Sequence, residues 1–294
     1  MATDRDSSYK ARFSGSRHYI DAQGPVLRDS FVAFVDLLGS REHIKQLDNT
    51  LLRSLVSALE YIGPVLSSFD LPGPDVALLG FTDNFVIATP VDEAYDAGGG
   101  QTRLQMLIAN VAHFQFFMMM EGVALRGGIV RGPVFLADHF GTGQAILDGY
   151  LLESTAAVVP RVILSDEIVA QCRMTLAKEM ARLRAYARIR RLFRLTRTGA
   201  EDYVPALARL VALDHTDGRA FVSYLFGREP GERSWADAER HKQVISERLT
   251  ITDPRVQQKY TWLAQYHNFV FSHVPDMQIQ GVLPGEGFEW LDTL

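Results

Sequence analysis

Two aspartates, each set beside a short apolar run, constrain this chain more than any other feature. Phe31-Val32-Ala33-Phe34-Val35 runs into Asp36, and Thr82-Asp83-Asn84 bends between Val76–Phe81 and Phe85–Thr89. Runs of this length, rich in β-branched and aromatic residues, predict buried strands, so Asp36 ends one strand and Asp83 tips a hairpin. Between them Leu47, Leu51, Leu52, Leu55, Val56, Leu59 and Ile62 recur at the spacing of one helix face. A second such period, Leu104, Leu107, Ile108, Val111, Gln115 and Met118, follows the break Gly98-Gly99-Gly100. Then come a strand-like run over Val123–Val130, a short one over Pro133–Ala137, a helix over Gly143–Thr155 and a strand over Arg161–Leu164. This order contains the β-α-β-β-α-β unit of the ferredoxin-like fold. The expectation is an α+β fold, with a mostly antiparallel sheet, helices on one face, and the other face open to a partner such as a second copy.

Composition narrows the class. Of 294 residues, 47% are hydrophobic and 22% charged, too apolar for a disordered chain and too interrupted by charge for a membrane protein. The apolar stretches fall well short of the ~20 residues that span a bilayer. No signal-like segment opens the chain, so a cytoplasmic protein is expected. The single cysteine, Cys172, excludes an intramolecular disulfide and argues against a Cys-based zinc site. A formal charge of −5 argues against wholesale coating of nucleic acid. Residues 1–25 read as an N-terminal arm, 26–173 as the core, and 174–294 as a C-terminal, helical extension of the same domain, since no linker separates them. The Arg-rich stretch 182–197 also carries Leu183, Ile189, Leu192, Phe193 and Leu195, and reads as a solvated amphipathic face.

In a sheet of the expected order the first and third strands lie centrally, and the hairpin bend comes near the end of the first. Asp36 and Asp83 then lie close enough to repel, which raises one pKa unless a cation sits between them. Carboxylate oxygens suit Mg²⁺ or Mn²⁺, and Mg²⁺ with few protein ligands completes its shell with water and substrate phosphates. Alone, Asp36 reads as a helix cap and Asp83 as a turn residue. Together, with this strand order, they read as a metal pair. Leu37-Leu38-Gly39-Ser40 enters a helix directly, and backbone N–H groups at a helix N-terminus bind phosphate. The segment is not a Walker loop, because no Gly-x-x-x-x-Gly-Lys occurs there. The histidines show no metal-ligand spacing and read as structural or surface residues.

These motifs carry a resemblance. Phe34-Val35-Asp36-Leu37-Leu38-Gly39, Gly80-Phe81-Thr82-Asp83-Asn84, Arg126-Gly127-Gly128-Ile129-Val130-Arg131-Gly132-Pro133 and a Gly-led helix ending Leu152-Glu153 occur in order across about residues 30–170. In that order and spacing they resemble the catalytic domain of class III nucleotidyl cyclases. The resemblance implies two bound ions, Mg²⁺ or Mn²⁺, held by Asp36 and Asp83 with help from the Leu37 carbonyl. It also implies a head-to-tail homodimer with sites at its interface. The ribose 3′-oxygen would attack the α-phosphate of a nucleoside triphosphate, and pyrophosphate would leave.

The chain departs from the adenylate cyclases of this class in two places. Leu79 stands where they usually carry an adenine-reading Lys, and the later helix lacks their Asn and Arg pair. A substitute cation is then expected from Arg126, Arg131 or Arg161. Asp148-Gly149-Tyr150, Leu152-Glu153, Pro160-Arg161 and the later Lys259-Tyr260, Trp262-Leu263, Tyr266 and Asn268 are similar to the bacterial pyrimidine cyclases of Pycsar antiphage defence. That similarity implies UTP or CTP as substrate, a cyclic mononucleotide as product, and a separate effector downstream. A purine cyclase and a silent nucleotide-binding sensor or scaffold remain the alternatives.

Overall fold

Ten residues, Arg28–Leu37, form the strand around which the rest is arranged (β3). The structure, a computed structural model, describes residues 18–38, 49, 52–53, 56–57, 76–91, 102–137, 139–192, 206–225, 232–282 and 287–291. Two short strands precede β3, Ile20–Asp21 (β1) and Gly24–Pro25 (β2), paired with each other. Of the expected helix over 47–62, only Asn49, Leu52, Arg53, Val56 and Ser57 are among the described residues, and these five are helical.

Ala77–Phe81 (β4) and Asn84–Pro90 (β5) form the hairpin, and β5 lies antiparallel beside β3. Arg103–Met120 (α1) follows, started by a capping box in which Thr102 and Gln105 satisfy each other's backbone N–H. Leu125–Ala137 (β6) lies antiparallel on the other side of β3. Two strands were expected here, but one continuous strand runs through Gly132 and Pro133. Proline is tolerated at that point because no described strand pairs with it on the outer edge. There β6 pairs with Val162–Leu164 (β8) only at Gly127–Ile129, and with Phe140–Thr142 (β7) only at Phe135–Ala137. Gln144–Ala156 (α2) links β7 to β8.

The chain beyond residue 173 continues the same sheet. Asp166–Leu192 (α3) and Ala206–Leu210 (α4) lead to Val211–Asp214 (β9), Arg219–Val222 (β10) and, near the end, Phe288–Trp290 (β11). The order is β11-β9-β10-β8-β6-β3-β5-β4, a mixed sheet in which β6 and β8 are the parallel pair. Glu232–Leu249 (α5) and Pro254–Val270 (α6) pack against it.

The sheet buries both faces, which corrects the expectation of helices on one face. Phe31, Ala33, Val35 and Leu37 face a large core with α1, α5 and α6. The alternate residues Val32 and Phe34 face a smaller core with Val86, Val130, Ala145 and Leu152, so α2 covers the second face. Glycine permits that close seating: a Cβ on Gly128 would lie 3.0 Å from the Gly149 carbonyl oxygen and 3.0 Å from the Leu152 Cβ. Tyr19 closes the smaller core, fully buried, with its hydroxyl 3.0 Å from Ser30 Oγ. This residue of the expected arm is therefore packed into its own chain. Of the Arg-rich stretch, Arg182 and Arg184 are exposed; residues 193–197 lie outside the described residues.

Candidate functional site

The end of β3 is held from both sides. The Leu37 N–H donates to the Asp83 carbonyl at 3.0 Å, and the Leu38 N–H donates to the Ala124 carbonyl at 2.9 Å. The first bond fixes the β4–β5 turn against the strand that carries Asp36. Asp36 is directly opposite Asn84, so Asp83 lies one residue further round the turn. Thr82 occupies the tight turn at φ 54°, a left-handed conformation that a β-branched residue rarely adopts. Its hydroxyl lies 2.8 Å from Asp83 Oδ1, and the Asn84 amide donates to the same oxygen at 3.1 Å.

Asp36 points to the second face, toward α2, and meets Arg126 from β6. Asp36 and Arg126 are directly opposite in register. The Arg126 Nε–H donates to Asp36 Oδ2 at 3.0 Å, and Nη2 lies 3.0 Å from the same oxygen. Glu153 of α2 comes to the other side of Arg126, its Oε1 2.6 Å from Nε. Glu153 is 3% exposed, and that oxygen accepts no hydrogen bond. The contact is one of charge, because the Nε–H is directed at Asp36. Lys259 of α6 acts on the same cluster electrostatically.

Burial pushes the Asp36 carboxyl above the ordinary carboxylate value, against the hydrogen bond and charge of Arg126. The Asp83 charge pushes it further up. Burial raises Glu153 too, with Arg126 opposing and Asp36 adding to the rise. Burial lowers the Lys259 ammonium, and the Arg126 charge lowers it further. Among the described residues, Asp36 and Glu153, with the charge of Asp83, thus meet Arg126 and Lys259 in one cluster.

Among the described residues no group of three or more His, Cys, Asp or Glu is arranged to hold a metal ion. Asp36 and Asp83 are two carboxylates at the ends of adjoining elements, a hard-oxygen donor set that fits Mg²⁺ or Mn²⁺ with water or phosphate completing the shell.

The other sequence candidates fall elsewhere. Arg131 is five residues along β6 from Arg126, roughly 16 Å away and on the opposite face by the alternation of a strand. There its guanidinium pairs with Asp29 at 2.6 Å and lies over the Phe31 ring. Arg161 is 3% exposed and paired with Asp214 at 2.5 Å, and with Asp217. The Leu37 and Leu38 side chains are buried in the large core, and their N–H groups are already spent on Asp83 and Ala124, so neither N–H is free for phosphate. Gly39 and Ser40 lie outside the described residues.

Glu153 and Lys259 are the site residues that the sequence reading left without a role. Glu153 carried a usable signal, an acidic residue on the buried side of a short helix that follows an Arg-Gly-Gly strand. Lys259 stood in a motif but without a partner, because only the fold brings α6 to the end of β3.

No protein-family model matches the chain, and no curated protein matches it. Among solved structures, a bacterial light-regulated adenylyl cyclase is similar at a TM-score of 0.33, with 13% identity over 56% of this chain and 53% of that one. The chain thus spans about half the length of that structure, and a likeness at that TM-score carries no argument about function.

Proposed function

We propose that the chain is a nucleotidyl cyclase that acts on a pyrimidine nucleoside triphosphate, UTP ahead of CTP. The observation that supports this reading is the Leu37–Asp83 backbone bond, which ties the turn that carries Asp83 to the end of the strand that carries Asp36. Asp36 and Asp83 would hold Mg²⁺ or Mn²⁺, two ions per site. Ions bound there supply a lowered pKa at the ribose 3′-hydroxyl and charge neutralisation at the triphosphate. Arg126 supplies a forked cation beside the pair, suited to phosphate oxygens, and stands in for the helix arginine that this chain lacks. α2, seated close through Gly128 and Gly149, carries Glu153 to that side of the site.

The sheet stretch β6-β3-β5-β4, with β3 and β5 adjacent, supports a ferredoxin-like reading of residues 26–173. Leu147, Tyr150 and Leu151 on the outer side of α2 are exposed, as is Phe140 beside them in sequence. That apolar surface supports a head-to-tail homodimer whose interface completes each site. The product would be a cyclic mononucleotide that signals to a separate effector in antiphage defence.

The Arg126–Asp36 ion pair favours a second reading, a silent nucleotide-binding domain in which the arginine stands in for metal. One experiment separates them. Purified protein is incubated with each of the four nucleoside triphosphates and Mn²⁺, and the products are resolved by chromatography. Cyclic UMP or cyclic CMP with pyrophosphate is expected, and Asp36→Asn or Asp83→Asn should lower the rate at least about a thousandfold, roughly 4 kcal/mol of barrier. Cyclic AMP as the main product removes the pyrimidine assignment. No product from any nucleotide leaves the silent reading.

A further inference from the structure

Arg126 faces two carboxylates that compete for one proton. Its Nε–H donates to Asp36 Oδ2 at 3.0 Å, while Glu153 Oε1 lies nearer, at 2.6 Å, and accepts no hydrogen bond. Glu153 is 3% exposed, so water does not compensate that oxygen. A buried carboxylate oxygen without a hydrogen bond is costly, and the donor that would satisfy it is already in contact. The arrangement is bistable. One acceptor is bonded and partly open to solvent; the other is buried and waiting.

We propose that Arg126 is an exchangeable counter-ion. It neutralises Asp36 while no divalent cation is bound, and transfers its Nε–H to Glu153 when a cation takes Asp36. This rests on the reading of Asp36 and Asp83 as a metal pair. The transfer breaks the Nε–H···Oδ2 bond, forms Nε–H···Oε1, and moves no proton between residues. Nη2 leaves Asp36 in the same motion and is freed to face phosphate. Glu153 is a positioning residue here: it keeps the guanidinium at the site after Asp36 has changed partners. Lys259, already disfavoured as a cation by burial and by Arg126, cannot replace it as a fork.

The consequence is a pair of effects with opposite sign. Arg126 competes with the metal ion, so Arg126→Gln should bind Mn²⁺ more tightly while using nucleotide less well. A residue that merely supports the fold would weaken both. The test measures free Mn²⁺ by electron paramagnetic resonance, without nucleotide, in the full-length chain. Against wild type, Arg126→Gln should bind about tenfold tighter, the size of one charge-assisted hydrogen bond. Glu153→Gln should bind about tenfold weaker, since Arg126 then has Asp36 as its one carboxylate partner. Unchanged or weaker binding by Arg126→Gln, with wild-type binding intact and lost in Asp36→Asn, overturns the exchange and leaves the metal pair standing. Absence of binding by wild type at millimolar ion removes the metal pair and the exchange with it. A second measurement follows the Arg126 guanidinium directly. The Arg126 Nε–H resonance in ¹⁵N-labelled wild type, assigned through Arg126→Lys, should move on addition of Mg²⁺ and stay in place in Asp36→Asn. A resonance that does not move in wild type overturns the exchange.

Discussion

Arg126 and Arg161 are both arginines at the edge of a β-strand, both paired with an aspartate, and they are built for different work. Arg161 is closed in. Its Nη1 lies 2.5 Å from Asp214 Oδ2, and Asp214 also accepts from the Trp262 indole at 2.7 Å and the Thr216 N–H at 3.0 Å. Arg161 and Asp214 are 3% and 1% exposed, and the guanidinium stacks over Trp262. Arg126 is 31% exposed, Asp36 is 13% exposed, and the pair leaves one buried oxygen of Glu153 without a hydrogen bond. A pair buried this deeply is closed to a ligand, even though the Arg161 Nε has no hydrogen bond of its own. A half-satisfied pair at a strand end has both a charge and a direction in which to move.

The largest expected effect breaks the closed pair. Asp214→Ala leaves the buried guanidinium only the more exposed Asp217 and removes the acceptor of the Trp262 indole and the Thr216 N–H, which costs about 3 kcal/mol. Urea unfolding should show a loss of that size, whereas Asp36→Ala should change stability little, because Arg126 keeps Glu153 and relief of carboxylate repulsion offsets the lost pair. Equal losses in the two variants would erase the distinction between the arginines.

Acid tests the closed region a second way. Behind Arg161 runs a buried chain of neutral groups. Tyr224 Oη lies 2.7 Å from His241 Nε2, the two His Nδ1 atoms are 2.9 Å apart, and His267 Nε2 lies 2.8 Å from the Met277 carbonyl. The carbonyl can only accept, so His267 carries its proton on Nε2, His241 on Nδ1, and the Tyr224 hydroxyl donates. Burial lowers His267 to about 4, with the Met277 hydrogen bond opposing and Lys242 adding to the fall, and lowers His241 well below its ordinary value. Both folded pKa values lie below the unfolded ~6.5, so the unfolded chain binds more protons between them. Stability is therefore full above pH 6.5 and falls as pH drops, by about 3 kcal/mol for His267 alone once pH reaches its folded value. The raised carboxyls of Asp36 and Glu153 act in the opposite direction, since protonation favours their folded form. The His267→Gln variant isolates the histidine part: its urea midpoint should depend less on pH between 7 and 5, and an undiminished slope would place the acid response elsewhere.

What the sequence revealed and what it hid divide along the same line. The strand-end position of Asp36 and the turn position of Asp83 were legible because each adjoins a short apolar run, and strand runs are local. The three arginines looked alike because their partners are distant in sequence: Asp36 is 90 residues from Arg126, Asp214 is 53 from Arg161, and Asp29 is 102 from Arg131. One signal was available and unused. Arg126 and Arg131 differ by an odd number, so on one strand they face opposite ways. Ending the expected strand at Val130 left Arg131 outside it and concealed this. The seating of α2 on the second face was not legible either, because it depends on Gly128 and Gly149 meeting across the sheet.

That seating gives the next prediction. Gly128→Ala places a Cβ 3.0 Å from a backbone oxygen and from Leu152, so α2 must shift. The cost should be about 1–3 kcal/mol. Because Glu153 rides on α2, turnover should fall as well, while the closed cluster around Arg161 is undisturbed. A variant with native stability and normal turnover would show that the helix is free to move without carrying Glu153 off Arg126.

The smallest expected effect is at Arg131. Its partner Asp29 is 48% exposed, the guanidinium itself is 29% exposed, and it lies on the face away from Asp36. An exposed pair of this kind is worth about 0–1 kcal/mol and is screened by salt. Arg131→Gln should leave turnover unchanged and shift the urea midpoint by no more than that, with the difference vanishing at high salt. The control is strict: Arg131 shares a strand and a side-chain type with Arg126, and differs in face and in the exposure of its aspartate partner. A large loss of turnover in Arg131→Gln would mean that position on the strand, not the Glu153-backed geometry at Arg126, is what the site requires.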